Sequence, residues 1–439
     1  MNNKKVNDLI DELILEHANK NKIWKEGIDW VQYSGPYFDG SETKSAIVSL
    51  LNGWLGLGES GIKFENKFCK ELGKNYGIFV NSGSSANLLM ISSLKSKNLY
   101  NLPPGTKIAT ACAGFPTTIN PIIQNGFTPE FVDIELNTLN IDLNKLEEVL
   151  EKEKDIKVLI FAHVLGNCPD MDKVMELVKK YNLILLEDCC DALGSTYKGK
   201  LLGSFGDMAS CSFYPAHHIT TGEGGFVAVN TKEQEKVIRS LRDWGRGCYC
   251  SGQASVCLKN GFCKKRFFPW LKKLPNTVVD HKYVYDEIGY NLKPLELQAC
   301  IGLEQIKKLP IIHQKRKENH NKISNIFKKY SEYFLVHSAT PNSDPSWFAC
   351  PITVKENKKF TRTDISKYFE DNKIQTRNYF AGNILLQPGY ENIASNSENY
   401  PVSTYVTINT FFLGTSPVIT NEQVLYIEKV LNKFMESII

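Results

Sequence analysis

The stretch SFYPAHHITTGEGG, residues 212–225, sets two histidines, His217 and His218, between the end of an apolar run and a glycine turn. An imidazole, with an ordinary pKa of about 6.5, accepts and returns a proton near cellular pH unaided. A lysine in that place, at about 10.4, would need a depression of roughly 3 units, about 4 kcal/mol, to be neutral there. Further residues of the right type precede it. In NSGSSANLL (81–89), Gly83, Ser84 and Ser85 open a helical pattern, where amides backed by hydroxyls suit a phosphate or form an ordinary N-cap. In LLEDCCDALG (185–194), Asp188 closes a buried strand. A carboxylate there needs a cationic partner such as a protonated pyridine nitrogen, unless it only caps a helix. Phe115, in the small-residue turn of ACAGFPTTINPI, can stack on a flat ring or join a core, and the glycines of GEGG (222–225) permit unusual angles or close approach.

The twelve cysteines divide by neighbourhood. Cys69, Cys112, Cys168, Cys211, Cys300 and Cys350 stand singly among apolar residues and read as buried inert thiols. Cys189 and Cys190 adjoin Asp188, and Cys248, Cys250, Cys257 and Cys263 crowd WGRGCYCSGQASVCLKNGFCKKRF (244–267). Four thiolates suit zinc or an iron–sulfur cluster; Cys248-x-Cys250 is tighter than the usual C-x2–4-C pairs of a four-cysteine zinc site.

The elements that must position these groups are legible as alternation. Short, nearly continuous apolar runs at 107–111, 129–134, 158–164, 183–188 and 224–229 read as strands covered on both faces. Amphipathic segments such as NKLEEVLEKEK lie between them, which predicts an α/β fold with a mainly parallel sheet and its ligands at the carboxyl ends of the strands. The expected organisation is a helical segment over 1–45, a large cofactor-binding domain over 46–310 with a cysteine-rich loop at 245–275, and a small α/β domain over 311–439. A formal charge of +4 on 439 residues implies no nucleic-acid partner. The start has no apolar core of signal-peptide type, and no run approaches the roughly 18 apolar residues of a membrane helix, so the expected compartment is the cytoplasm, away from the membrane.

The ordered set of serine-rich turn, aromatic, strand-end Asp and Ser-Phe before Gly-Glu-Gly-Gly resembles the DegT/DnrJ/EryC1/StrS sugar aminotransferase family. The likeness runs from NGWLGLGESGIKFENKF (52–68) through GYNLKPLELQACIG (289–302) and more weakly beyond. It implies an aspartate-aminotransferase-like large domain (fold type I of the pyridoxal-phosphate enzymes) and a small C-terminal domain. It also implies that Ser84, Ser85 and Ser212, with Gly83, hold the cofactor phosphate, that Phe115 stacks on the ring and that Asp188 pairs with its nitrogen. Asn291 would reach the phosphate of a neighbouring subunit, which makes a homodimer the expected assembly. The family's cofactor-anchoring lysine follows the phosphate serine by five residues, where this chain has His217. An imidazole cannot tether pyridoxal phosphate, so the expected cofactor is noncovalent pyridoxamine 5′-phosphate (PMP), with His217 as general base at C4′ and dehydration at C3 as the outcome. His218 is one place out of register, and Asp191 and Tyr214 take supporting roles.

AGFPTTINPIIQNG, EDCCDALGSTY and DHKYVYDEIGYNLK extend the resemblance to the PMP- and [2Fe-2S]-dependent 3-dehydrase branch of that family. That branch takes one cluster ligand from the EDCCD segment, then Cys-x-Cys after 57 residues, and 57 residues likewise separate Cys190 from Cys248. The implied ligands are Cys190, Cys248, Cys250 and Cys263, with Cys257 the alternative fourth. The implied substrate is CDP-4-keto-6-deoxy-D-glucose, on the way to the 3,6-dideoxyhexoses of lipopolysaccharide O-antigen. With no G-x-G-x-x-G after a strand at its start, the chain would need a separate NADH-dependent flavin/iron–sulfur reductase, for which KKRFFPWLKK (264–273) is a docking surface or simply a solvated basic loop. The rival readings are a cluster-free PMP dehydratase of another nucleotide sugar, an ordinary aminotransferase, and a noncatalytic zinc-stabilised binding protein.

Overall fold

The apolar runs become strands because both of their faces are covered. Along the central sheet, Phe79, Leu159, Leu185 and Ala209 enter one core, while Ile78, Ile160, Leu186 and Met208 enter a second on the opposite face. Successive side chains of a strand point to opposite faces, so a strand buried twice must be apolar throughout. The computed structural model describes residues 3–18, 23–248, 266–393 and 395–438.

The sheet has seven strands, in the spatial order Tyr76–Val80, Gly225–Val229, Met208–Ser212, Ile184–Asp188, Val158–Ala162, Lys107–Ala111 and Thr128–Val132. All pairings are parallel except those of Gly225–Val229, which runs against both of its neighbours. Its register sets Gly225 opposite both Val80 and Ser212. The amino end of this reversed strand therefore meets the carboxyl ends of the others on one edge of the sheet, where the motif residues gather.

Tyr76–Val80 lies at the sheet margin, and its open edge is closed by a buried charge network. Glu65 accepts from the Phe79 amide at 3.0 Å and from Arg239 and Arg242, each at 3.0 Å, while Arg242 donates to the Phe79 carbonyl at 2.9 Å. The edge's hydrogen-bonding capacity is used internally instead of being offered to another chain.

A second unit packs beside the sheet. Its antiparallel strands lie in the order Phe334–Val336, Ala349–Val354, Thr410–Gly414 and Arg377–Asn378, and the helices Arg362–Asp371 and Asn421–Ile438 help to close its core. Val31 enters that core and bridges to Ile374, so the chain just after the first helix, Asn3–Ala18, is built into the C-terminal unit. A long helix spans Glu296–Lys328 with Pro310 inside, so residue 310, where the sequence suggests a domain boundary, falls within one continuous element. Buried Ala299, Gly302, Leu309, Ile312 and Ile323 carry it from the large core into the small one. The motif GYNLKPLELQACIG conceals its start, because Leu295 caps the helix directly after a proline.

Glu65→Ala removes the carboxylate that two buried guanidinium groups share and strips the Phe79 amide of its acceptor, leaving Arg239 with Glu235 and Arg242 with Asp243. The expected cost is about 3–5 kcal/mol of stability in denaturant titration; a loss below about 1 kcal/mol would show that the edge does not depend on the network.

Candidate active site

A cavity of about 620 Å³ opens at the carboxyl edge of the sheet, lined from the large unit by Asn81, Ser82, Gly83, Ser84, Phe115, Asp188, Cys190, Ser212, Tyr214 and His217, among others. Tyr33, Phe348, Arg377, Phe380 and Phe412 complete the wall.

One end has the make-up of an anion cradle. The helix Gly83–Ser93 begins there, capped by Ser82, whose hydroxyl accepts from the Ser85 amide at 3.0 Å. A Cβ on Gly83 would stand 2.5 Å from Ser212 Cβ, and one on Gly225 would stand 2.1 Å from the Ser82 carbonyl. Both glycines are required by close approach, which brings the helix terminus, Ser84 and Ser212 together. Ser85 does not line the cavity, because its amide and hydroxyl are engaged with Ser82. The capping and anion-binding readings of the motif thus fall to different serines.

Asp188 forms the floor. It accepts from Asn87 at 2.7 Å, Thr118 at 2.8 Å and the Cys190 amide at 3.1 Å, and makes no ion pair among the described residues. With the Ser210 hydroxyl, a longer contact at 3.4 Å, four neutral donors fix its orientation and leave it short of a countercharge on the cavity side. Glu187 faces away, accepting from Gly203 and Gly206 amides and from His163, with both side chains wholly buried. Phe115 is half exposed and forms part of the cavity wall, edge-on to Phe380.

His217 stands in the wall with its side chain 15% exposed and its ring 5.2 Å from that of Phe348. Nδ1 lies 3.5 Å from Asp191 Oδ1 without forming a hydrogen bond. Burial, and then the positive field of Arg316, bring its pKa down to about 4, so the ring is neutral and able to accept a proton at physiological pH. Burial and the charge of Asp188 push Asp191 up to about 7. His218 is turned away into the protein, with Nε2 2.7 Å from the Ser346 carbonyl. No lysine lines the cavity among the described residues.

Cys190 lines the cavity; Cys248 is half-buried and not on its wall, and Cys250, Cys257 and Cys263 lie outside the described residues. Asn291 is exposed and bridges to Asp243, away from its own chain's cavity. Of the six scattered cysteines, five are buried and Cys300 is half-buried; burial pushes Cys112, Cys168 and Cys350 up to about 12, so they remain thiols. Asn87 and Thr118 escape the motif reading because they sit within apolar helical text and meet Asp188 only in space. Asn87 leaves one trace, as a buried amide among the apolar residues of ANLLMIS.

The fold and the site define an enzyme of the pyridoxal-phosphate-dependent aminotransferase architecture, with histidine at the wall position that this chemistry usually gives to lysine. The chain belongs to the DegT/DnrJ/EryC1/StrS aminotransferase family, whose model matches residues 37–432. It is 40% identical over 433 residues to a lipopolysaccharide biosynthesis protein, RfbH, of Salmonella typhimurium, covering 97% of each chain. It is 39% identical to the dTDP-4-dehydro-2,6-dideoxy-D-glucose 3-dehydratase of Saccharopolyspora spinosa, over 92% of this chain and 86% of that one. Among solved structures it resembles the Escherichia coli GDP-4-keto-6-deoxy-D-mannose-3-dehydratase with bound hydrated PLP. That match has a TM-score of 0.80 at 28% identity, over 92% of this chain and 99% of that one.

The site fits PMP on its own features: a helix-terminus cradle, the buried Asn81 Oδ1 without a partner, and an acid on the floor awaiting a cation. Asp188→Asn should weaken PMP binding about 10- to 100-fold in an absorbance titration, as expected for a lost charged hydrogen bond. Unchanged affinity would remove Asp188 from that role.

Proposed function

We propose that this chain is a reductive nucleotide-sugar 3-dehydrase acting on CDP-4-keto-6-deoxy-D-glucose in 3,6-dideoxyhexose formation for lipopolysaccharide O-antigen. The observation that carries the reading is His217 in a cavity whose described wall holds no lysine. With no primary amine on its described wall, the cavity offers pyridoxal phosphate no covalent anchor there and no route to product release by amine exchange. When bound, PMP supplies an amine for the 4-keto group and a ring that takes up electrons. Ser84 and Ser212 would hold its phosphate, together with Asn291 from a second subunit of a homodimer, while Phe115 would cover the ring and Asp188 keep its nitrogen protonated. His217 would accept the C4′ proton, and Tyr214 and Asp191 flank it. Arg377, the permanent cation of the described wall, lies over the Tyr33 ring at 4.3 Å and suits a diphosphate substrate.

The net change replaces the C3 hydroxyl by hydrogen: water leaves, and two electrons and two protons enter. PMP can give up that electron pair once, ending as pyridoxal phosphate; for it to persist as PMP from one turnover to the next the pair must come from outside, and the proposed source is a one-electron relay fed by an external reductase. A [2Fe-2S] cluster held by Cys190, Cys248, Cys250 and Cys263 is the proposed relay, and the position of Cys190 on the cavity wall supports it. The proposed compartment is the cytoplasm; no described helix is long and apolar enough to cross a membrane.

Protein purified without oxygen should carry about two irons and matching acid-labile sulfide per chain. Zinc without sulfide would leave a cluster-free PMP dehydratase, and the absence of all three would overturn the cluster. His217→Asn should still bind PMP and lose about 10²–10⁴-fold in turnover; retained turnover would assign the proton to another group.

A further inference from the structure

The helix Glu296–Lys328 buries one guanidinium completely, and that group touches the loop of the proposed base. Arg316 is 1% exposed. It donates from Nη2 to the His217 carbonyl at 3.1 Å and the Ala216 carbonyl at 3.5 Å, and from Nη1 to the Phe348 carbonyl at 3.0 Å and the Trp347 carbonyl at 3.3 Å. Among the described residues it forms no ion pair, and its Nε has no partner. Burying a cation without a carboxylate is expensive, and a group retained on those terms needs a reason. The reason lies in the shape of the fork: only a rigid planar guanidinium can serve two carbonyls on each of two separate segments.

The two segments are the ones that set the geometry of His217. Ala216 and His217 are its own peptide units, and Phe348 is the ring packed against its imidazole at 5.2 Å. One further tie runs in parallel, His218 Nε2 to the Ser346 carbonyl at 2.7 Å, and Thr415, donating to the Trp347 carbonyl at 2.7 Å, fixes that segment to the small unit. We infer that Arg316 is the positioning residue for His217, clamping the histidine loop to the Ser346–Trp347–Phe348 segment so that base and small unit move as one body. The structural half of this stands alone; the catalytic half rests on the function proposed above.

The test uses the full chain with Arg316→Lys, which keeps a nitrogen donor but loses the fork, and Arg316→Met, which loses both. Hydrogen–deuterium exchange on the cofactor-free protein needs no turnover. Peptides over 213–221 and over 345–350 should both exchange at least about tenfold faster in Arg316→Lys, while the strand Ile184–Asp188 keeps its protection. Change in only one segment, or in neither, would overturn the clamp. In turnover assays each variant should lose at least about tenfold in kcat while PMP affinity stays within about threefold. Added to His217→Asn, it should cost nothing more, because both changes act on one group. Multiplying losses would make Arg316 an ordinary structural residue. Should Arg316→Met fail to fold, Arg316→Lys decides both points; should no turnover be found in the wild-type protein, the exchange result still decides the clamp.

Discussion

A carboxylate is held at the end of a central strand by neutral donors alone, and the rest of the site is arranged around that deficit. Asp188 receives a side-chain amide, two hydroxyls and a backbone N–H, which orient it without neutralising it. Each of the three closer donors comes from a different part of the fold: Asn87 from the helix that cradles the anion, Thr118 from the helix after Phe115, and Cys190 from the turn that offers a thiol to the cavity. Moving any one of these elements disturbs the acid. The cavity thus has a negative floor and an anion-binding end, the polarity of a ring with a cationic nitrogen and a phosphate tail.

Across from that floor, the histidine changes what the same architecture can do. A lysine would hold the cofactor and exchange it for product; an imidazole can only move a proton. Burial and the Arg316 field keep the ring uncharged, which leaves its nitrogen free for a proton while lowering its affinity for one. Arg316 is therefore placed to act twice on one residue, through its hydrogen bonds on position and through its charge on proton affinity.

The sheet was legible in the sequence because its strands are buried on both sides. The runs at 107–111 and 183–188 fall within a residue of the strands Lys107–Ala111 and Ile184–Asp188. Local motifs likewise place Gly83, Ser84, Phe115, Asp188, Ser212 and His217 around one cavity, since the chemistry sits where strands end. Contributions from far along the chain were not legible. Tyr33, Phe348 and Arg377 reach the wall from the small unit, and no spacing rule links them to the motifs. Arg316 sits between two lysines in HQKRKENHNK and reads as one more solvated charge. Only the packing of its helix shows that it faces inward.

The reversed strand carries a consequence for synthesis. Among the described residues Tyr76–Val80 pairs with no strand except Gly225–Val229, and the Asn81 amide donates to the Leu292 carbonyl. The anion cradle is encoded early, yet its walls are supplied by segments that leave the ribosome much later. Loop closure over such a separation is slow, and the half-built edge must wait with its hydrogen-bonding groups open. A nascent chain therefore cannot recruit its coenzyme as it emerges. Loading belongs to the finished polypeptide, and the interval before it is when this protein most needs shielding from its neighbours.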